Sequence, residues 1–360
     1  MYSTVHVMNT IFFYIGEKKP HHFHLSIARK ICKEKNYTLK LIRRLPPPSL
    51  NPVLEIKQLY DLSKLPSADI YFIEGLQGTF YLARWLGIIN KNTKTINIIA
   101  EPLIFLDDPP NAKWWLLKNI PIFKSMLKKA LMENSLNIIV GNMYVETLKK
   151  EFGVDRYVGM PAGIADHLYT SLKKIRPNLS SNRIVMLASL LSKDRIKWKG
   201  IDLARAIMDE VVKINPNLKL EVIGEYLPEI KEEYETEYFR FVGFKTNLVS
   251  SLKDYALALS LGYGDAFPVA SLETMLAGIP TITSNKIGTS EVAKKASKDL
   301  VIDYFNLSDA IDKILNYFKL DLKKREELSL KVRKVATQYK ESEIIDKYIK
   351  LENLQDFLEA

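Results

Sequence analysis

The chain has 360 residues, of which 47% are hydrophobic and 26% charged, a composition of globular domains that excludes a disordered or fibrous protein. Its length suits two domains of ordinary size, and no segment reaches the unbroken apolar length of a membrane-spanning helix. A formal charge of +10 favours anionic partners, and the lone cysteine, Cys32, excludes an internal disulfide and fits a reducing cytoplasm.

The opening stretch, MYSTVHVMNTIFFYIGEKK, has no basic leader and no small-residue cleavage site, so it reads as a first buried strand with TVHVM at its heart. Helical and β-rich segments then alternate: FHLSIARKICKEK, TLKLIR, ADIYFI, YLARWLGII, TINIIA, a long helix over 112–132, NIIV and a helix near 143–151. The Pro-rich PPPSLNP at 46–52 is a loop inside this pattern. After a hinge within 161–182 the alternation restarts with RIVMLA, IDLARAIMDEVVKI, LKLEVIG, RFVG, LVSSLKDY, ALALSL, VASLETMLA, PTITS, SEVAKKA and LVI, and the last 40 residues are helical and charged. Repeated βα units imply parallel sheets covered on both faces. The expected fold class is α/β, with two Rossmann-like doubly wound domains facing across a cleft: 1–168, 177–335, and a helix over 336–360 that crosses back to the first domain. Ligands bind at the carboxyl ends of the strands in such sheets.

Chemistry concentrates in DAFPVASLETMLAGIP at 265–280. Pro268 suits a first helical position, Val269, Leu272 and Leu276 mark an apolar stripe, and Gly278 with Pro280 ends the helix. The helix start leaves N–H groups free near 268–271, a ready anion site, with Asp265 before it and Glu273 about one turn inside. Two carboxylates beside a phosphate site suit hydroxyl-rich ligands. A solvated loop acid and a surface Glu are the bland alternative, at equal weight on spacing alone.

Asp265 through Glu273, followed by ETMLAGIPTITSNKIGTSEV, resembles the acid-x7-Glu signature of the retaining glycosyltransferases of the GT-B fold, family four (glycosyl transferases group 1). The resemblance extends through KGIDLARAI at 199–207, LKLEVIGE at 218–225 and FVGF at 241–244. In the first half it rests on the βα pattern and on MPAGIADHLY, with Ala162 where the family has Asn.

The resemblance implies that the first domain shapes the acceptor side and the second binds the donor. It also implies that Glu273 holds the ribose of a nucleotide and Asp265, one methylene shorter than the family's Glu, the donor sugar. Phe267, Pro268 and Val269 would present backbone to the diphosphate, Pro268 replacing a glycine and removing one N–H. Lys199 would neutralise the leaving diphosphate. The family's second basic residue is replaced by Ser189, and Lys193, Arg195 or Lys197 could fold back in its stead, Arg195 being favoured for its planar head. Gly224 and Gly243 end strands at the same rim and either admit the nucleotide or serve turns alone. Gly288 gives a turn, with Ser290 capping the next helix and Glu291 in its first turn, a mainly structural segment whose alternative role is to line the sugar pocket.

In the first half, Gly16 opens GEKKPHHFHLS and is a candidate for close approach of substrate, while His21, His22 and His24 lack the spacing and companions of a metal site and fall instead in the first strand-to-helix loop at the cleft, where a histidine could contact donor or acceptor. Glu74 and Glu101 end strands and are candidates for an acceptor hydroxyl. Segment 111–134, with Trp114 and Trp115 among lysines, reads first as a core-facing helix and second as a peripheral contact with a membrane carrying a lipid-linked acceptor. Nucleic acid is excluded by the missing motifs. The overall expectation is a cytoplasmic, metal-independent enzyme without cofactor that moves a hexose from a nucleoside diphosphate sugar. A nucleotide-sugar epimerase and an inactive sugar-nucleotide-binding protein are the alternatives.

Overall fold

The computed structural model describes residues 11–16, 21–43, 52–64, 68–75, 78–100, 121–133 and 135–359. The chain divides into two compact units, one running to Met160 and resuming at Glu343, the other Pro161–Ser342. Trp114, Trp115, Glu101 and the TVHVM segment lie outside the described residues.

The first unit runs β1 (Ile11–Gly16), α1 (His22–Lys35), β2 (Thr38–Arg43), α2 (Pro52–Ser63), β3 (Ile70–Glu74), α3 (Gly78–Trp85), β4 (Lys94–Ile99), α4 (Pro121–Met132), β5 (Ser135–Val140), α5 (Val145–Phe152) and β6 (Tyr157–Met160). All strands are parallel, in the order β2-β1-β3-β4-β5-β6. Every residue of β3 and β5 is buried, as a sheet covered on both faces requires. The polar positions inside these strands satisfy one another: Asn97 donates to Asn137 at 3.0 Å, Tyr81 to Asn97 at 3.1 Å, and Asn137 to the Leu131 carbonyl at 2.8 Å. Helix α4 exposes Ile122, Ser125, Lys128 and Met132 on one stripe, and no described helix is long and apolar enough to cross a membrane.

The second unit runs α6 (Asp166–Lys173), β7 (Arg183–Leu187), α7 (Arg195–Lys199), α8 (Ile201–Ile214), β8 (Lys219–Ile223), α9 (Pro228–Tyr234), β9 (Phe239–Gly243), α10 (Leu248–Ser251), β10 (Leu257–Ser260), α11 (Val269–Leu276), β11 (Thr281–Ser284), α12 (Ser290–Ala296), β12 (Val301–Ile302), α13 (Leu307–Lys319) and α14 (Leu322–Ala336). Helices α15 (Glu341–Tyr348) and α16 (Glu352–Glu359) follow. The expected boundaries were 168 and 336, but 161–168 and the chain to 342 join this unit. Ile164 and Lys340 form a parallel bridge, and the Tyr169 hydroxyl donates to the Thr337 carbonyl at 2.8 Å.

The second sheet is parallel, ordered β12-β11-β10-β7-β8-β9. Connections run outward from β7 on one side and from β10 on the other, so the chain reverses its direction of winding between these two strands. Helix α8 buries Ile201, Ala204, Ile207, Met208 and Val211, the repeat of one helical face. Helix α14 grips the end of α11: Arg333 donates to the Ala277 carbonyl at 2.8 Å and Ser329 to that of Gly278 at 2.5 Å. A cation there complements the negative end of the helix dipole.

Strand β9 is an edge, and its outward groups are covered. The N–H of Phe241 donates to Glu235 Oε2 at 3.0 Å, that of Phe239 to Thr236 Oγ1 at 3.0 Å, and the Phe239 carbonyl accepts from the Thr236 N–H at 2.8 Å. Such covers keep a sheet edge from pairing with another chain. Glu235→Ala is expected to cost about 1 kcal/mol and to promote self-association, read by thermal melts and by sedimentation at increasing concentration.

Candidate active site

The switch in winding between β7 and β10 lies where their carboxyl ends diverge, and each is followed by a loop that leaves on its own side. The loop after β7 ends in the short α7, whose last residue is Lys199, and the loop after β10 carries Asp265. The two side chains meet: Lys199 Nζ donates to Asp265 Oδ2 at 2.7 Å, both being partly accessible. The ion pair therefore spans the point where sheets of this kind take ligands.

Backbone contacts hold the loops together around it. The N–H of Tyr263 donates to the Trp198 carbonyl at 3.2 Å, that of Gly264 to Lys286 at 2.8 Å, and that of Gly288 to Asp265 at 3.0 Å. A Cβ on Gly288 would drive into the Ala266 carbonyl, so only glycine fits this crossing. Gly288→Ala is expected to lower stability by about 2 kcal/mol, with the Asp265 loop displaced; a thermal melt and the amide shifts of residues 264–268 would check it.

Helix α11 begins at Val269, and Pro268 is its N-cap rather than its first residue, with φ −64° and ψ 110°. The Pro268 carbonyl accepts from the Ser271 N–H at 3.1 Å. The free donors expected over 268–271 are thereby reduced to the N–H groups of Val269 and Ala270, which no described residue accepts. Glu273 stands three and four residues further on, hence on their face of the helix. Its carboxyl is only partly accessible and has no charged neighbour, and desolvation raises its pKa from 4.5 to about 7.

A hydroxyl network not anticipated in the sequence fixes α11 from beneath. Ser271 donates to Ser260 at 2.8 Å, Thr289 to Ser271 at 3.1 Å, and Thr274 and Thr281 share a bond of 2.8 Å. Thr289, not Ser290, is the N-cap of α12, and its hydroxyl is spent on Ser271 rather than on a helix N–H. The only sequence signal was Ser and Thr recurring on one face of an apolar helix.

Arg195 folds back as one of three cations offered by its loop: its Nη1 donates to the Ser189 carbonyl at 3.1 Å and its guanidinium lies 5.4 Å from the Trp198 ring. Lys199 approaches the same ring at 5.1 Å, so Trp198 seats both cations. Phe267 is buried against Tyr339, with ring centroids 5.8 Å apart, leaving only its backbone for a ligand. Gly224 is explained by packing, since a Cβ there would strike the Ala188 carbonyl, and Gly243 by a left-handed turn at φ 76° with open space around it.

In the first unit, the start of α1 and the end of β3 meet likewise at a change of winding. Gly16 ends β1. Glu74 Oε1 accepts from the His21 N–H at 2.7 Å and lies 2.8 Å from His24 Nδ1, and both Glu74 and His24 are buried. This corrects the expectation that Glu74 reaches an acceptor: its oxygen is committed to the start of α1. No group of three or more potential metal ligands occurs among the described residues.

Residues 173–335 match the family model described as glycosyl transferases group 1. The second unit is a group 1 glycosyltransferase domain. The protein is accordingly a glycosyltransferase, and the candidate site residues from Lys199 to Gly288 all lie inside the matched segment. No curated protein matches the sequence. Solved structures similar to it share the GT-B fold at low identity. Sucrose-phosphate synthase from Thermosynechococcus elongatus is 12% identical, with TM-score 0.71, over 98% of this chain and 100% of that one. A glycosyltransferase from Rickettsia africae is 13% identical, with TM-score 0.68, over 98% of each chain. Anabaena HepE, solved with UDP and glucose, is 15% identical, with TM-score 0.63, over 98% and 100%. These likenesses concern the fold. Within the group 1 domain, the placement of Lys199 beside Asp265 comes from the geometry alone.

Proposed function

We propose that the protein is a retaining glycosyltransferase that moves a hexose from a nucleoside diphosphate sugar to an acceptor, without a metal ion. The observation that carries this reading is the Lys199–Asp265 pair at the switch point, beside two open N–H groups and the unpartnered carboxyl of Glu273. A diphosphate seated on the start of α11 would receive the Val269 and Ala270 N–H groups and the positive end of the helix dipole. It would also draw Lys199 away from Asp265. Asp265 would then be free to accept from a sugar hydroxyl, and Glu273 from the ribose. Lys199, with Arg195 as second cation in place of the arginine replaced by Ser189, would stabilise the charge that develops on the departing phosphate.

In a retaining transfer the incoming hydroxyl bonds to the anomeric carbon on the face that the phosphate leaves. Its proton passes to the departing phosphate oxygen, so no protein base is required. HepE, solved with UDP and glucose, supports the choice of a uridine nucleotide as first probe.

The test is calorimetry with UDP, GDP and their glucose conjugates, followed by NMR of the released or transferred sugar. Nucleotide binding together with a product of retained anomeric configuration is the expected result. Binding without turnover in any acceptor mixture would favour an inactive binding protein. An interconverted sugar with no free diphosphate would favour an epimerase.

A further inference from the structure

A tryptophan at position 198 is not explained by packing or by hydrogen bonding. The residue is partly accessible, yet its indole N–H is enclosed and has no acceptor among the described residues. A buried indole ordinarily donates a hydrogen bond, and that reason for choosing tryptophan is missing here. What remains is the face of the ring. The Arg195 guanidinium lies 5.4 Å from its centre and the Lys199 ammonium 5.1 Å. Both fall within the ~6 Å over which a tryptophan face attracts a cation.

The backbone that carries the ring is fixed. The Trp198 carbonyl accepts from the Tyr263 N–H at 3.2 Å, and a Cβ on Gly262 would collide with the same carbonyl. A Cβ on Gly200 would strike the Leu261 carbonyl. Residues 198–200 thus rest directly on the chain that leaves β10, and two glycines permit that approach. The cations themselves are held more lightly. Arg195 donates to the Ser189 carbonyl at 3.1 Å, and Lys199 to Asp265 at 2.7 Å. A diphosphate that drew Lys199 away from Asp265 would remove the one carboxylate paired with it among the described residues. The ring would be the contact that stays.

We propose that Trp198 is a positioning residue for the transfer. Its ring, fixed on the end of β10, is the pivot about which Lys199 passes from Asp265 to the diphosphate, and it holds the Arg195 guanidinium where Ser189 supplies no charge. Two like charges repel, and a ring that attracts both offsets the cost of keeping them at one site. This rests on the donor reading above and adds the group that orders its two cations.

The test compares Trp198→Phe with Trp198→Leu. Both truncations remove the N–H and leave space, but only the first keeps an aromatic face. Initial rates of UDP or GDP release from the glucose conjugates should show kcat lowered about tenfold in Trp198→Leu, with donor KM changed less than about twofold. Trp198→Phe should keep about a third of the wild-type rate or more. In an Arg195→Gln background, Trp198→Leu should cost less than in wild type, because part of what the ring holds is already gone. One readout needs no turnover: the Arg195 Nε–H resonance, identified by its loss in Arg195→Gln. The ring current should shift it upfield in wild type and Trp198→Phe, and Trp198→Leu should return it to the position of a free arginine. Equal rates for folded Phe and Leu variants overturn the proposal, since apolar filling would then suffice. So do additive losses with Arg195→Gln, or an unshifted Arg195 resonance in wild type. If Trp198→Leu does not fold, the resonance in wild type and in Trp198→Phe carries the test. Wild-type protein that neither binds nor releases a nucleotide refutes the donor reading instead, and the resonance still decides whether the ring seats the cation.

Discussion

Lys199→Ala is expected to lower donor turnover by about 10²–10³-fold while leaving the fold intact, the loss typical when one preorganised donor to a developing anion is removed. Lys199 ends α7, and its ammonium lies 5.1 Å from the centre of the Trp198 ring and is held 2.7 Å from Asp265. The ammonium is therefore in place before a ligand arrives. Lys199→Arg should restore part of the rate, since charge matters more than the length of the stem. The partner gives a result of opposite sign. Asp265→Asn should leave affinity for the free nucleotide equal or higher, because Lys199 loses its internal competitor, while sugar transfer falls. Initial rates with calorimetry on both variants would check this. A folded Lys199→Ala protein with unchanged turnover would remove the cation from the mechanism.

Glu273 should tie nucleotide binding to pH. With a pKa of about 7 in the ligand-free protein, it is half protonated near neutrality, whereas ribose hydroxyls donate best to the ionised form. Nucleotide affinity should therefore rise between pH 6 and 8 and level off above. Glu273→Ala should weaken binding by one to two orders of magnitude, roughly the 1.5–3 kcal/mol of charged hydrogen bonds.

The effect on stability has the opposite direction. Between the ordinary carboxyl value of 4.5 and about 7, the folded chain holds a proton that the unfolded chain has released, so stability falls as pH rises through that window. The difference sets a ceiling of about 3 kcal/mol, reduced by the carboxyl's partial access to water. Glu273→Gln should remove the slope and melt higher than wild type at pH 8. Melts across pH 4–8 and nucleotide titrations on the same samples would separate the two effects. A nucleotide affinity independent of pH, with Glu273→Ala unaltered, would exclude the ribose role.

The doubly wound architecture was legible because its signals are local. Apolar runs such as RIVMLA and ALALSL can only be buried strands, and IDLARAIMDEVVKI repeats at helical spacing. Helix α2 was missed because its start adjoins a Pro-rich run that favours a loop, and β6 because four residues give too short a period. Cap positions slipped by one where chemistry was ambiguous. Proline is at home both as first residue and, as Pro268 is, just before it, and a Thr-Ser pair offers two hydroxyls for one cap. Nothing local could reveal that Glu74 accepts from His21 and His24, or that Asn97 meets Asn137, because these partners lie 40 to 53 residues apart. In the candidate site, residue types and order were visible; the use of Ser271, Thr289 and Trp198 as supports was not, since support depends on which loops come together.

Helix α11 is pinned from two directions, by Arg333 and Ser329 at its end and by the hydroxyl ladder along its side, whereas Asp265 rides on a turn whose position depends on a few glycines. On the proposed reading, nucleotide recognition is anchored in the bedrock of the domain and sugar recognition in its topsoil. Descendants of this chain could then trade one hexose for another by small changes in residues 262–266, with the uridine or guanosine preference carried along unaltered.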